Sequence, residues 1–327
     1  SGEDYEANGR IVLNAGGPWA DIVWGKLGIG GINKLRKTKG IHLLTRKISE
    51  NALALIAHKD NRLFFVIPWE DYSLVGTTDT DYTGDLDNLY AGASDADYLV
   101  SELQHYFSGF SKSDVYYTFA GLRPLVAYEK KVESNTSRAH KLIDHEHKNK
   151  IKGFISILGG KITAYRAVAE EAIDMVCQKL NLGVPCSTAH TLLPGAPAVK
   201  ADQMEKAARK DNLPMETVAH LAALYGSRFD SVLDYVRSDK RLGQPISSGC
   251  RDIIAQIKHS VEEEAAMTVS DFMLRRSPIG LGLSQGMDAL ETVAREMASL
   301  LGWSNTEKQK QIENYKISAA LGQCFRK

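Results

Sequence analysis

Cysteine is scarce in this sequence. Only Cys177, Cys186, Cys250 and Cys324 occur in 327 residues, and no two share a Cys-x-x-Cys spacing. A disulfide scaffold and a cysteine zinc ribbon are excluded, and the thiols read as reduced and cytoplasmic. An excess of charge of one sign is also missing, since 40 Lys and Arg face 40 Asp and Glu. No net field therefore recruits nucleic acid or anionic lipid. No apolar run approaches the roughly 20 residues of a membrane-spanning helix, and the residues given open without a signal-peptide pattern. Internal repeats and low-complexity tracts are absent. So is the Gly-x-Gly-x-x-Gly dinucleotide fingerprint. Gly280-Leu-Gly282-Leu-Ser-Gln-Gly286 comes nearest. It has one residue too many and follows a helical pattern rather than a strand.

What is present is ordinary in bulk, with 43% hydrophobic and 24% charged residues, as in soluble globular proteins. The length suits two domains, or one large and one small. The informative stretch is Gly153-Phe-Ile-Ser-Ile-Leu-Gly-Gly-Lys-Ile-Thr-Ala-Tyr-Arg166. Phe154 to Leu158 reads as a buried strand stopped by two glycines. A helical pattern follows at once, with Ala164, Val168, Ala172, Val176 and Leu180 every four residues and Gly183 as its stop. A strand entering a helix through Gly159-Gly160 aims free N–H groups at one spot, and Lys161 adds a full charge. Such an end favours an anion by about 0.3–1 kcal/mol. An ordinary tight turn is the competing reading.

Taken in order, Arg10–Leu13 is a short strand followed by Asn14-Ala-Gly-Gly-Pro-Trp19 and a helix over 20–27. This opening resembles the last piece of an α/β sheet whose earlier strands lie outside these residues. Strands follow at 41–44, 53–57, 63–67 and 73–77, bounded by polar clusters. Ser94-Asp-Ala-Asp97 is a capping box opening a helix that buries Leu99, Leu103 and Phe107. Residues 115–120 form a strand ending at Gly121-Leu-Arg-Pro-Leu125. A polar segment over 129–137 precedes a hairpin of 139–143 with 154–158. Past Leu182 only helices remain, near 201–211, 215–225, 228–238, 250–276, 285–301 and 305–321, the last opened by Ser304-Asn-Thr-Glu307.

Several polar residues carry two readings each. Arg123, before Pro124 at a strand end, is restricted to extended geometry and suits capture of a phosphate or carboxylate, or a surface ion pair. Gly76-Thr77-Thr78-Asp79 offers two hydroxyls and a carboxylate, or simply strand and turn residues. His42 shares no face with Ile41 or Leu43, so it lines a cleft as a proton acceptor or sits satisfied in the core. Asp144-His145-Glu146-His147 is read as a solvated hairpin turn. It has no third ligand at metal spacing, and no metal site is expected.

Four pieces together, Asn14–Trp19, Gly76–Asp79, Ala120–Leu125 and Leu158–Arg166, stand in an order and spacing that resembles the FAD-dependent, respiratory glycerol-3-phosphate dehydrogenases. These are flavoenzymes of the D-amino-acid-oxidase-like superfamily. The helical tail with Arg275-Arg276 is similar to that family's C-terminal domain. The resemblance implies an α/β (α+β) fold. The end of an FAD-binding domain would occupy 1–33, an antiparallel substrate-binding domain 34–152, a returning strand and helix 153–183 and an all-helical domain 184–327.

It further implies oxidation of sn-glycerol 3-phosphate to dihydroxyacetone phosphate, a hydride passing from C2 to flavin N5 and electrons going on to a quinone. By matching position, Arg123 and Lys161 hold the substrate phosphate and Thr77 lines its pocket, while His42 and Arg123 are the catalytic pair. Ala15, Gly16, Gly159, Gly160, Lys161, Ile162 and Thr163 face FAD. A cytoplasmic location, peripheral on the inner face of the cell membrane, and a homodimer are expected. The oxygen-using glycerol-3-phosphate oxidases and a non-catalytic binding module are the alternatives. The family's N-terminal glycine fingerprint, and an arginine it contributes to the phosphate, have no counterpart here. A polypeptide of these residues alone is therefore expected to bind FAD weakly and not to turn over.

Overall fold

The structure, a computed structural model, describes residues 5–29, 35–126 and 139–327. The polar segment over 129–137 and the boundary read at 33/34 lie outside these residues. The chain divides into two compact units. One holds 1–42, 76–89 and 120–191, the other 43–75, 90–119 and 192–327.

Along the chain run β1 (Val12–Asn14), α1 (Ala20–Lys26), β2 (Leu35–Arg46), β3 (Leu53–Ile56), β4 (Leu63–Trp69), β5 (Tyr72–Gly76), β6 (Thr80–Asp81) and α2 (Ala93–Gln104). Next come β7 (Val115–Val126), β8 (Lys141–Asp144), α3 (His145–Asn149), β9 (Phe154–Leu158) and α4 (Tyr165–Lys179). The division between the units falls inside β2 and β7 and before the last residue of β5.

In the first unit β1 pairs parallel with β9, Asn14 opposite Ser156, and β8 pairs antiparallel with β9 on its other side. Trp24 of α1 packs with Phe154, Leu158 and Val126 in the small core of this unit. A buried polar node ties the layers. Trp24 Nε1–H donates to Ser156 Oγ at 2.9 Å and the Asn14 amide does so at 3.4 Å. Both are donors only, so the serine proton goes to His145 Nε2 at 3.0 Å. That leaves the proton on His145 Nδ1, which donates to Asn149 Oδ1 at 2.8 Å.

The solvated turn expected at 144–147 is thus corrected. Asp144 caps a short helix by accepting from Glu146 N–H, which rotates His145 inward to complete burial. The helix after Gly160 does carry its predicted stripe. Only Ala172 on it is fully buried, however, with the positions around it half-covered.

Two further readings change. Arg123 does not stand at a strand end. β7 continues through it to Val126, since Pro124 needs only extended backbone there and no N–H donor. The second change is the cap of α2. Gly92 N–H donates to Asp95 at 2.9 Å, so the helix opens before the box read at Ser94.

In the second unit the strands lie in the order β3-β4-β5-β2, with β3 and β4 antiparallel and Leu53 opposite Val66. α2 and the start of β7, which pairs with β2, also belong to this unit, and from 192 onward it is helical: α5 (Ala201–Asp211), α6 (Met215–Tyr225), α7 (Phe229–Ser238), α8 (Ile254–Glu262), α9 (Val269–Asp271), α10 (Leu290–Leu301) and α11 (Asn305–Leu321). The single helix expected over 250–276 is broken. Ala265 takes a left-handed φ of 54°, and Thr268 starts a new turn by accepting from Asp271 N–H. The cap at Ser304 is as read, its Oγ accepting from Glu307 N–H at 3.1 Å. Ser304→Ala should lower stability by about 1 kcal/mol, seen as a shifted urea midpoint with an unchanged slope.

Candidate active site

Every residue of the candidate site lies in the first unit. The parallel pairing of β1 and β9 brings their carboxyl ends to one edge of the sheet, where open α/β sheets bind ligands. Ala15-Gly16 leaves β1 at that edge and Gly159-Gly160 leaves β9. Gly16 N–H donates to the buried Asn14 side chain at 3.1 Å. Gly159 and Gly160 have φ of 66° and 96°, values that a side chain rarely tolerates. A Cβ on Gly159 would press on Val126 Cγ2 at 3.0 Å and one on Gly160 on His140 Cβ at 3.1 Å.

A tight helical turn over Ile162–Ala164 then runs into α4 with no side-chain cap at Lys161. Ile162 is 88% exposed. The first N–H groups of this helical start are thus free of any capping side chain. A backbone cradle with no room for side chains, followed by uncapped N–H groups and a lysine, suits a planar, electron-accepting ring that gains negative charge.

Arg123 and Lys161 line one cleft of about 380 Å³, together with Leu122, Pro124, Leu125, Gly160 and Ile162. The guanidinium is fixed by three bonds. It donates to Thr77 Oγ1 at 3.1 Å, to the Thr78 carbonyl at 3.1 Å and to Asp79 Oδ1 at 3.2 Å. One-third of the Arg123 side chain stays exposed. The strip that holds it is itself anchored, because Ile41 N–H donates to the buried Thr78 hydroxyl at 3.1 Å. Among the described residues three of the five guanidinium donors are used, and Nε–H and one Nη1–H have no partner there.

β2 decides how His42 meets this group. Gly40 and His42 stand on one face of the strand, two residues apart, while Ile41 and Leu43 on the other face are fully buried. A Cβ on Gly40 would collide with the Arg123 guanidinium, and one on Gly76 with the His42 ring. Two missing side chains therefore admit the arginine and the imidazole to the same face. Burial, and after it the positive charge of Arg123, push the His42 pKa below the ordinary histidine value. The ring is a neutral proton acceptor beside a cation.

The structure gathers His42, Thr77 and Arg123 around one group, and Arg123 with Gly160, Lys161 and Ile162 around one cleft. Asp79, Gly40 and Gly76 were not among the site residues read from sequence. Asp79 stood in the quoted Thr-Thr-Asp run, but its partner lies 44 residues on.

The profile of the FAD-dependent oxidoreductases matches residues 1–166. The chain belongs to the FAD-dependent oxidoreductase family. The profile of the C-terminal domain of alpha-glycerophosphate oxidase matches residues 186–308. Similar curated proteins include a glycerol-3-phosphate dehydrogenase of Synechocystis sp., 34% identical over 96% of this chain and 60% of its own length. Glycerol-3-phosphate dehydrogenase 2 of Mycobacterium bovis is 31% identical, over 96% of this chain and 54% of its own. The chain thus spans a little over half the length of these relatives. A crystal structure of the glycerol-3-phosphate dehydrogenase from Bacillus halodurans complexed with FAD superimposes with a TM-score of 0.81 and 29% identity, covering 95% of this chain and 62% of that one. In this flavoenzyme family setting, the glycine cradle at 159–160 fits the flavin end of the cofactor.

Proposed function

We propose that the full-length protein oxidises sn-glycerol 3-phosphate to dihydroxyacetone phosphate with bound FAD, this chain supplying the substrate face of the site. The observation that carries the reading is Arg123: tied by three hydrogen bonds, one-third exposed, in a cleft shared with Lys161 and beside a proton-poor imidazole. Arg123 and Lys161 hold the phosphate, the arginine through the two donors it has left and the lysine as a point charge. Thr77 keeps the guanidinium in place by accepting one of its hydrogen bonds. His42, neutral at physiological pH, takes the proton of the C2 hydroxyl. Bound FAD would supply the hydride-accepting chemistry at C2. Gly159 and Gly160 give close approach to its ring. Lys161 and the N–H groups of Ile162 and Thr163 stabilise the negative charge that collects there, and Ala15 and Gly16 border it from β1.

In the same proposal the electrons pass to a quinone at the cytoplasmic face of the cell membrane, and the protein is a homodimer. The match of residues 186–308 to an oxidase C-terminal domain favours one second reading, with dioxygen as acceptor. Stoichiometric peroxide during turnover of the full-length protein would decide for it.

A polypeptide of these 327 residues alone should bind FAD poorly. Its residues reach the flavin end, while the pyrophosphate normally rests on a glycine turn at another helix N-terminus, and no such fingerprint occurs in this stretch. The contacts left must offset the ordering of a long flexible ligand. Titration followed by flavin fluorescence checks this. Binding below about 1 μM, some −8 kcal/mol, or dye reduction on adding glycerol 3-phosphate, would overturn it.

A further inference from the structure

We propose that His58, Glu102 and His105 form a binding site for one divalent transition-metal ion of the zinc, nickel or copper class. The three lie in the second unit, outside the active site. One ligand atom from each falls within 4.8 Å of the others. Donors bound to a common ion at about 2.1 Å stand about 3–4 Å apart, so modest side-chain rotations close the set.

Two elements bring it together. Glu102 and His105 are three residues apart at the end of α2, hence on one face of the helix. His58 begins the turn between β3 and β4. Glu102 is only 2% exposed, while both imidazoles are exposed. Its carboxylate is fixed by the turn itself, Oε2 accepting from His58 N–H at 2.5 Å and Oε1 from Lys59 N–H at 3.2 Å. Each oxygen keeps lone-pair capacity for an ion. Capping the turn accounts for Glu102 alone. It does not account for two imidazoles gathered at the same carboxylate, their rings stacked at 4.2 Å and 24°, with the Tyr106 ring edge-on to His58.

Backbone bonds on the carboxylate and packing on the rings are the kind of outer support that orients metal ligands. Two imidazole nitrogens and one carboxylate oxygen, with positions left open to water, favour Zn²⁺, Ni²⁺ or Cu²⁺ over Mg²⁺ and Ca²⁺, which take oxygen donors. The bound ion would pin the β3–β4 turn to the end of α2. Nothing in the sequence signals the site, because His58 stands 44 residues before Glu102.

The test is calorimetric titration of the full-length protein with Zn²⁺ and with Mg²⁺, and electron paramagnetic resonance with one equivalent of Cu²⁺. His58→Gln and His105→Gln are the variants of choice. Both side chains are exposed, whereas replacing Glu102 would also remove the bonds that hold the turn. One Zn²⁺ per chain is expected, with affinity at least about ten-fold lower in either variant and no Mg²⁺ heat at the same concentration. The Cu²⁺ spectrum should show two coupled nitrogens in the wild type and one in each variant. Absence of Zn²⁺ binding, or binding that both variants leave undiminished, would overturn the proposal.

Discussion

Replacing Arg123 by alanine in the full-length protein should cut kcat/KM for glycerol 3-phosphate roughly ten- to several-hundred-fold. Each charge-assisted hydrogen bond from its free donors to a phosphate is worth about 1.5–3 kcal/mol, and 1.4 kcal/mol is a factor of ten. Oxidation of glycerol itself, which has no phosphate, should change far less. Arg123→Lys keeps the charge but loses the fork, so it should recover only part of the loss. Asp79→Asn separates binding from positioning. It removes the anion that competes for the guanidinium at 3.2 Å while the bonds to Thr77 and Thr78 remain. Its KM for the phosphate should therefore stay level or fall. Equal losses with glycerol and glycerol 3-phosphate in Arg123→Ala would make the arginine a structural tie of the Gly76–Asp79 strip and nothing more.

Replacing His42 by glutamine should lower kcat by about a hundred- to ten-thousand-fold, the usual worth of a positioned proton acceptor, with little rise in KM. The pH profile carries the sharper readout. Burial and the Arg123 charge depress the imidazole pKa, so the wild-type rate should fall on an acid limb set below 6.5, the ordinary histidine value. His42→Gln should flatten that limb. Stability follows the same sign. The folded state holds His42 neutral while the unfolded chain protonates it more readily. Stability is then complete above the ordinary value and is lost as pH falls towards the depressed one. The variant should lose this slope as well. An acid limb that survives in His42→Gln would return the histidine to a packing role.

Local signals carried much of the architecture. The apolar run at Phe154–Leu158, the Gly159-Gly160 stop and the four-residue stripe behind it specify a strand, a turn and a helix through contacts within about 30 residues. The boundaries of α5 and α6 and the Ser304 cap are as read for the same reason. Propensity, capping and periodicity are short-range. What failed was also local in form but decided at longer range. The helix read over 250–276 breaks because Ala265 accepts a left-handed φ between two packed segments. His145 turns inward because Ser156, eleven residues on, completes its hydrogen bonds.

The residues of the candidate site could be nominated one by one from sequence; their company could not. That Gly40 and Gly76 are the spaces filled by the Arg123 guanidinium and the His42 ring depends on strands whose pairing no single stretch encodes. Asp79 as the partner of Arg123, and His58 beside Glu102, depend on backbone brought together across more than 40 residues. By itself the sequence determined residue chemistry, element type and family, because these rest on composition, periodicity and local motif. Tertiary structure alone decided which charges meet, which imidazole is buried and which glycines must stay bare. Those follow from side-chain volume and desolvation in a packed interior, where the neighbours in space are seldom the neighbours in sequence.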